Sequence, residues 1–363
     1  MAIFDQFRKL YDFYTSDLSY KEIEKLIKRD VPELYNFYVK KMKQPEKPKK
    51  SLKGLLIFAR NLFIEFLLQL SPVRRLIYSA SVFLFIYGFI APDYQWSVFA
   101  FVVMNILLAF ELADKLIAKD ELAVARDIQN SLMPKEPPQN NSYDISCYYQ
   151  AAFEVGGDYY DFINSELTPE KTFIVIGDIS GKGMAAALHM VQVQAILHYI
   201  VEHNDSPKII LSMLNKNLKK VLRRGSFFTV SLALLDGNGS LILSRAGHMP
   251  LLHYKASCGQ CHNITPRGMG IGLSHDTIFE NSLEEIVITP EKGDVLIFYT
   301  DGVVEAMNSF LQEYGEDRFK NTIIKNQTKS SKEIQEAILD NISLFTESSP
   351  PHDDLTMIVM KAL

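Results

Sequence analysis

Four acidic positions share one local setting. Asp158 stands in Gly156-Gly157-Asp158-Tyr159-Tyr160-Asp161, and Asp178 in Gly177-Asp178-Ile179-Ser180-Gly181-Lys182-Gly183. Asp301 follows Phe298-Tyr299-Thr300 and precedes Gly302. Asp353 and Asp354 open Asp353-Asp354-Leu355-Thr356. Each lies just before or after an apolar run, mostly beside glycine. Carboxylates gathered at one end of a sheet repel each other unless a cation neutralises them. Hard oxygen donors without clustered His or Cys suit Mg2+ or Mn2+. Two such ions close together can share a water, lower its pKa and clamp a phosphoryl group for in-line attack. The glycines let backbone approach, so that a carbonyl can serve as a further donor. One Asp alone reads as a turn residue or helix cap. Four in one context point to a metal site.

Two other patterns could carry chemistry. Cys258-Gly259-Gln260-Cys261-His262 has the spacing of a c-type haem attachment, and the same cysteines with His248 or His253 could hold zinc. Haem attachment needs an exported domain, and the second zinc ligand pair is not evident. Cys261 and Arg267 have the Cys-x5-Arg spacing of cysteine phosphatases. The intervening residues lack glycine and include Pro266, which has no N–H to offer a phosphate. An incidental surface loop is the expectation here.

The elements that must position the acids begin near residue 140. Strands are expected at Tyr143–Ala152, Thr172–Ile176, Phe227–Leu235, Ser240–Ser244, Pro250–Tyr254, Ser282–Ile288, Asp294–Tyr299 and Leu355–Met360. Helices are expected at Met184–Val201, Pro207–Val221, Arg318–Asn326 and Ser331–Phe345. Strands and helices mix without regular βαβ alternation. That predicts an α+β fold of two packed antiparallel β-sheets flanked by helices.

The part before residue 140 differs in kind. Residues 1–75 carry 16 Lys/Arg against 9 Asp/Glu, a net +7, while the whole chain of 363 residues is at −5. The remainder is therefore acidic and a poor DNA binder by counterion release, so no nucleic-acid partner is expected. Three cysteines make no disulfide framework. No cleavable signal peptide is visible. Residues 1–53 read as a cytoplasmic helical segment and a basic linker, Lys40–Lys53, either a solvated tether or a contact for anionic lipid. Residues 54–75 read as an interfacial amphipathic helix, interrupted by Arg60 and Glu65.

Leu76–Pro92 and Tyr94–Phe110 are uncharged runs of 17 residues each, joined through Asp93 and flanked by Tyr94 and the sole tryptophan, Trp96. They predict a two-span transmembrane hairpin over 76–112, the competing reading being a buried helical pair. Arg74, Arg75, Lys115 and Lys119 put both termini in the cytoplasm, at the inner (cytoplasmic) membrane. Asn105 could pair helices across a homodimer or bond within the hairpin. A linker helix follows in 113–138, with Ile117, Val124, Ile128 and Leu132 on one stripe and Pro134 ending it. It could form a short coiled coil or pack on its own catalytic domain. The connector outside the membrane is short, so an input signal is expected from lipid, from a membrane partner, or from residues 1–53.

The acidic segments, taken with Asp127-Ile128-Gln129-Asn130-Ser131-Leu132-Met133-Pro134, Ala246-Gly247-His248-Met249-Pro250 and Tyr299-Thr300-Asp301-Gly302-Val303-Val304-Glu305-Ala306, occur in order. Together they resemble the bacterial sporulation-protein-IIE/sigma-regulator branch of the metal-dependent (PPM) serine/threonine protein phosphatases, over about residues 120–363. The resemblance implies a β-sandwich domain, 139–363, holding two Mn2+ or Mg2+ ions. It implies that Asp178 bridges both ions. Asp158 and the Ile179 carbonyl would hold one, Asp301 and Asp353 the other. Asp353 is preferred to Asp354 because the family ligand is the first residue of its motif. Gly157, Asp161, Ser180, Lys182, Gly302 and Asp354 are candidates for the shell around the metals or the phosphate. His248 is either a structural histidine or a proton donor to the leaving oxygen. The implied substrate is phosphoserine or phosphothreonine on a regulatory protein, of which a STAS-type anti-sigma-factor antagonist is the usual kind. The implied reaction is hydrolysis by metal-activated water. The alternative is a membrane-anchored module that uses the same fold only to bind partners.

Overall fold

The apolar run β9 (Val295–Tyr299) is buried along its whole length, and its alternate residues face different layers. Leu296 and Phe298 join one apolar cluster; Val295, Ile297 and Tyr299 join a second. The neighbouring strand β10 (Leu355–Ala362) splits the same way, Ile358 and Met360 to the first cluster and Met357 and Val359 to the second. Such strands are covered on both faces, which is why they read as continuous apolar stretches rather than alternating ones.

The computed structural model describes residues 52–91, 94–168, 170–222, 225–347, 349 and 351–363. The expected helical segment and basic linker of 1–53 fall almost wholly outside the described residues, as does the Pro92-Asp93 connector. The described chain divides into two compact units, one ending at Ile117 and the other running Ala118–Leu363.

In the first unit α1 (Leu52–Gln69), α2 (Pro72–Ile90) and the start of α3 (Tyr94–Leu132) follow one another. α2 and α3 touch near both ends. Arg74 pairs with Glu111 and Asp114 at 3.0 and 2.7 Å. Ser97 Oγ donates to the Phe85 carbonyl at 3.1 Å, and a side chain at Gly88 would run into Ser97. Asn105 bonds within its own helix, to the Phe101 carbonyl at 2.9 Å. By length and composition, α2 and α3 are each apolar enough to cross a membrane. The second expected span and the expected linker helix run on as one helix, α3, of 39 residues.

The second unit holds two five-stranded antiparallel sheets. One has the order β1-β10-β9-β6-β7, the other β2-β3-β4-β5-β8. The strands not yet given are β1 (Tyr143–Gln150), β2 (Asp158–Asn164), β3 (Thr172–Ile179), β4 (Phe228–Leu235), β5 (Leu241–Ala246), β6 (Leu251–Lys255), β7 (Gln260–Ile264) and β8 (Glu285–Ile288). α4 (Met184–Val201), α5 (Pro207–Leu218) and α6 (Asp276–Ser282) are grouped with the second sheet, α4 against β2 and β3 and α5 against β4 and β5. α7 (Glu316–Asn326) and α8 (Ser331–Thr346) are grouped with the first. Local signals set two of these starts. Ser206 caps α5 by accepting from the Ile209 N–H, with Pro207 at the first turn. Ser330 and Glu333 form a reciprocal capping box at α8.

The expected two-sheet α+β fold is observed. β2, β7 and α6 were not among the expected elements. β2 opens on Asp158 and carries two tyrosines and a second acid, so its sequence lacks a clean apolar run. β7 is exposed and polar, an edge strand whose pairing with β6 decides its state.

Candidate metal-centred active site

Antiparallel pairing brings the acids to one end of the sandwich. Asp158 begins β2 and lies opposite Asp178 near the end of β3. β9 and β10 pair with Tyr299 opposite Met357, so Thr300-Asp301, leaving β9, adjoins Asp353-Asp354, entering β10. Each pair comes from a different sheet.

Asp158 is 1% exposed. Its Oδ2 accepts hydrogen bonds from the Thr300 hydroxyl at 2.8 Å and from the Thr356 hydroxyl. Both threonines belong to the opposite sheet, so they fix this carboxylate across the interior. Burial, then the charge of Asp178, holds its pKa well above the usual carboxylate range. Asp178 is pushed up to about 7 by burial and by the charges of Asp301, Asp353 and Asp354. Asp301 is raised by burial and by Asp353. The acids therefore feel one another.

Asp353 and Asp354 have separate tasks. Both oxygens of Asp354 accept backbone N–H groups: Oδ1 from Ala152 at 2.8 Å, Oδ2 from Gly157 at 2.6 Å and Asp158 at 3.4 Å. Asp354 thus holds the loop that delivers Asp158. Asp353 is more open, and its Oδ2 accepts from Lys182 Nζ at 2.8 Å. Lys182 also donates to the His352 carbonyl at 2.9 Å and lies over the Phe153 ring.

Close contact favours glycine at several places here, Gly157 and Gly302 among them. A Cβ on Gly157 would stand 2.9 Å from the Ile179 carbonyl oxygen and 3.2 Å from Asp178 Oδ1. A Cβ on Gly302 would collide with the Asp354 carbonyl. Ser180 anchors the turn after β3: its N–H donates to the Phe227 carbonyl at 2.9 Å, and its hydroxyl accepts from Phe227 N–H at 2.8 Å.

Two candidates lie apart from this cluster. Asp161 sits further along β2 and bonds to Tyr159 and to His198 of α4, each at 2.7 Å. His248 is buried, with Nδ1 3.0 Å from the Thr229 hydroxyl, which reaches the Asp178 carbonyl at 3.4 Å. Burial, then Arg245, pushes its pKa down to about 3. It is therefore neutral near pH 7, and it braces the strand end behind Asp178.

Sequence reasoning missed Thr300, Thr356 and Gln129 as parts of this site. Gln129, on α3, is 2% exposed. Its amide donates to the Gly156 carbonyl at 2.7 Å and accepts from the Gly156 N–H at 3.1 Å. One turn earlier, Arg126 donates to the carbonyls of Phe153 and Glu154. The end of the linker helix is thus bonded directly to the loop before Asp158. Its position inside Asp127–Pro134, one of the segments in the ordered motif set, was the available signal.

The donors fit a hard divalent cation in kind: buried carboxylates with raised pKa values, a backbone carbonyl held close, and one lysine against several acids. Among the described residues no three such groups are drawn into a closed cage. The cysteine motif forms none either. Cys258 Sγ lies 3.7 Å from His262 Nε2, while Cys261 Sγ faces the Lys320 carbonyl. Arg267 is exposed and pairs with Glu284 at 3.5 Å rather than arching over a thiolate.

A family model described as stage II sporulation protein E (SpoIIE) matches residues 168–363. The chain is 27% identical over 246 residues to the phosphoserine phosphatase RsbU of Bacillus subtilis (strain 168), covering 67% of this chain and 70% of that protein. It is 28% identical over 282 residues to protein IcfG of Synechocystis sp., covering 70% of this chain but 43% of that one. The solved SiaA-PP2C domain of Pseudomonas aeruginosa superposes with a TM-score of 0.59 at 19% identity, over 69% of this chain and 98% of that domain. That likeness is one of fold.

Proposed function

Since the chain belongs to the stage II sporulation protein E family and its second unit has the PPM/PP2C-type phosphatase fold, we propose that it is a metal-dependent phosphatase that removes phosphate from serine or threonine of a regulatory protein. The observation that carries this reading is the meeting of Asp158 and Asp178 from one sheet with Asp301 and Asp353 from the other. Proteins of RsbU type suggest a STAS-type regulator as the substrate.

On this reading Asp158, Asp178, Asp301, Asp353 and the Ile179 carbonyl would hold two Mn2+ or Mg2+ ions. When bound, the metal supplies Lewis acidity toward the attacking water and the phosphoryl oxygens. The chain contributes the rest. Thr300 and Thr356 leave one oxygen of Asp158 aimed away from their hydroxyls. Asp354 and Gln129 fix the loop carrying Gly157. Lys182, on the mouth of the site, offers a cation to a phosphate once Asp353 is engaged elsewhere. His248 supports the Asp178 backbone through the Thr229 hydroxyl, the structural of its two expected roles.

The same reading makes α2 and the first half of α3 a transmembrane pair with both ends cytoplasmic, α1 an interfacial helix, and the exposed Val124 and Ile128 of α3 a contact between two copies.

The test is Mn2+-dependent phosphate release from a phosphoserine peptide by the full chain. Chelation and Asp178→Asn should each abolish it. Unchanged turnover in Asp178→Asn would sink the site assignment. A wild-type chain that is inert with metal but binds the phosphoprotein would favour the non-catalytic module.

A further inference from the structure

A cleft of about 400 Å³ opens beside the carboxylates. Asp353 and Gly302 form the wall it shares with the proposed active site. Leu339, Asp340, Ser343 and Thr346 of α8 also line it, as do Tyr148 and Leu355. Its lining carries Glu305, Asp340, Glu347 and Asp353 and no lysine or arginine. Met307 also lines it and runs straight into a turn, Asn308–Gln312.

That turn displays apolar side chains to solvent. Phe310 and Leu311 are each 81% exposed. Leu311 has φ 59°, a left-handed backbone that disfavours a branched side chain. The turn is nonetheless tightly tied. Asn308 Oδ1 accepts from the N–H groups of Phe310 and Gln312, both at 3.0 Å, and Met307 bridges Glu313 at the neck. A stiff turn that holds two large apolar groups in water next to a catalytic cleft is ordered for contact before any partner arrives.

We propose that this turn and the acidic cleft together form the docking surface for the phosphoprotein substrate. The inference rests on the phosphatase reading and deepens it. The cleft takes the chain flanking the phosphorylated residue, with a Lys or Arg of that chain against Glu305, Asp340 and Glu347. Phe310 and Leu311 cover an apolar patch on the same partner. Continuity with Asp353 places the occupant within reach of the reacting phosphate. The charge of the cleft selects against an anionic lipid surface, which favours a protein occupant.

The test compares two kinds of substrate of the full chain with Mn2+: p-nitrophenyl phosphate, which has no flanking chain, and a pair of phosphoserine peptides carrying an apolar residue with either Lys or Glu flanks. The Lys-flanked peptide should be cleaved about tenfold more efficiently than the Glu-flanked one. Leu311→Gly suits the left-handed backbone and so should fold at least as well. It and Phe310→Ser should each lower kcat/KM on the Lys-flanked peptide about three- to tenfold, through KM, with p-nitrophenyl phosphate turnover unchanged. Asp340→Lys with Glu347→Lys should erase the preference for Lys flanks. Equal losses on both substrates would mean a structural role and overturn the proposal. So would unaltered peptide kinetics, or variants that lose only binding to phosphatidylglycerol vesicles. If the wild type shows no Mn2+-dependent cleavage of p-nitrophenyl phosphate, the phosphatase reading itself fails and the docking proposal falls with it.

Discussion

Asp178→Asn should stabilise the metal-free protein while removing its activity. Asp178 has a folded pKa of about 7 against an ordinary value of 3.8. A raised carboxyl pKa means that the folded state holds the proton more tightly than the unfolded chain. The group therefore does not oppose folding below about pH 4. Its penalty grows as pH rises between 3.8 and about 7, and it is complete above that. The full interval at about 1.36 kcal/mol per unit gives about 4 kcal/mol, and partial solvent access lowers this to about 2–4 kcal/mol. Asparagine keeps the size and removes the charge. In EDTA at pH 8 the variant should gain about 2–4 kcal/mol, and at pH 5 about 1–2 kcal/mol. Amide hydrogen exchange on β3 reads this locally, as roughly 30- to 1000-fold slower exchange at pH 8 where global opening governs it. Saturating Mn2+ should reverse the order, because only the wild type gains the binding free energy. If the variant in EDTA at pH 8 is no more protected than wild type, burial and the neighbouring acids do not oppose the Asp178 charge as its placement requires, and the metal reading loses its physical basis.

Two further outcomes follow from the contacts around the site. Gln129→Met should strand the Gly156 N–H and carbonyl, at about 1–3 kcal/mol each, and raise the Mn2+ concentration for half-maximal activity about 10- to 100-fold, measured by metal titration. Gly302→Ala should drive a methyl group into the Asp354 carbonyl, destabilise the protein by about 1–3 kcal/mol or more, and lower the yield of folded chain on purification.

Burial pattern decided which elements could be read in advance. β3, β9 and β10 have apolar cores, and their positions were legible as short runs between turn signals. α5 and α8 were expected close to their observed starts, where the structure shows the Ser206 cap and the Ser330/Glu333 box. β2 was not legible, because Asp158, Asp161 and the two tyrosines between them serve the interior through hydrogen bonds rather than through an apolar pattern. The pairing order of the sheets was equally hidden: β1 meets β10 and β5 meets β8 across long separations, and no local signal records that.

The acids were legible by type and spacing; the groups that hold them were not. Asp353 and Asp354 are adjacent and chemically identical, so residue type cannot divide their roles. Their surroundings differ in the structure: three backbone N–H groups reach Asp354 and only one, its neighbour's, reaches Asp353. Thr300 and Thr356 look like ordinary strand residues until β9 and β10 place both hydroxyls on one oxygen of Asp158. Gln129 looks like a solvent-facing residue of a charged helix, yet it is buried against Gly156. Each of these contacts joins segments far apart in sequence. The linker helix had two open readings, a coiled-coil seam or packing on its own domain. Gln129 and Arg126 pack on the domain, while Val124 and Ile128 stay exposed. Both readings can then hold at once, because different faces of one helix serve them. A second copy drawn to the exposed face would act on a helix whose other face already grips the loop that carries Asp158.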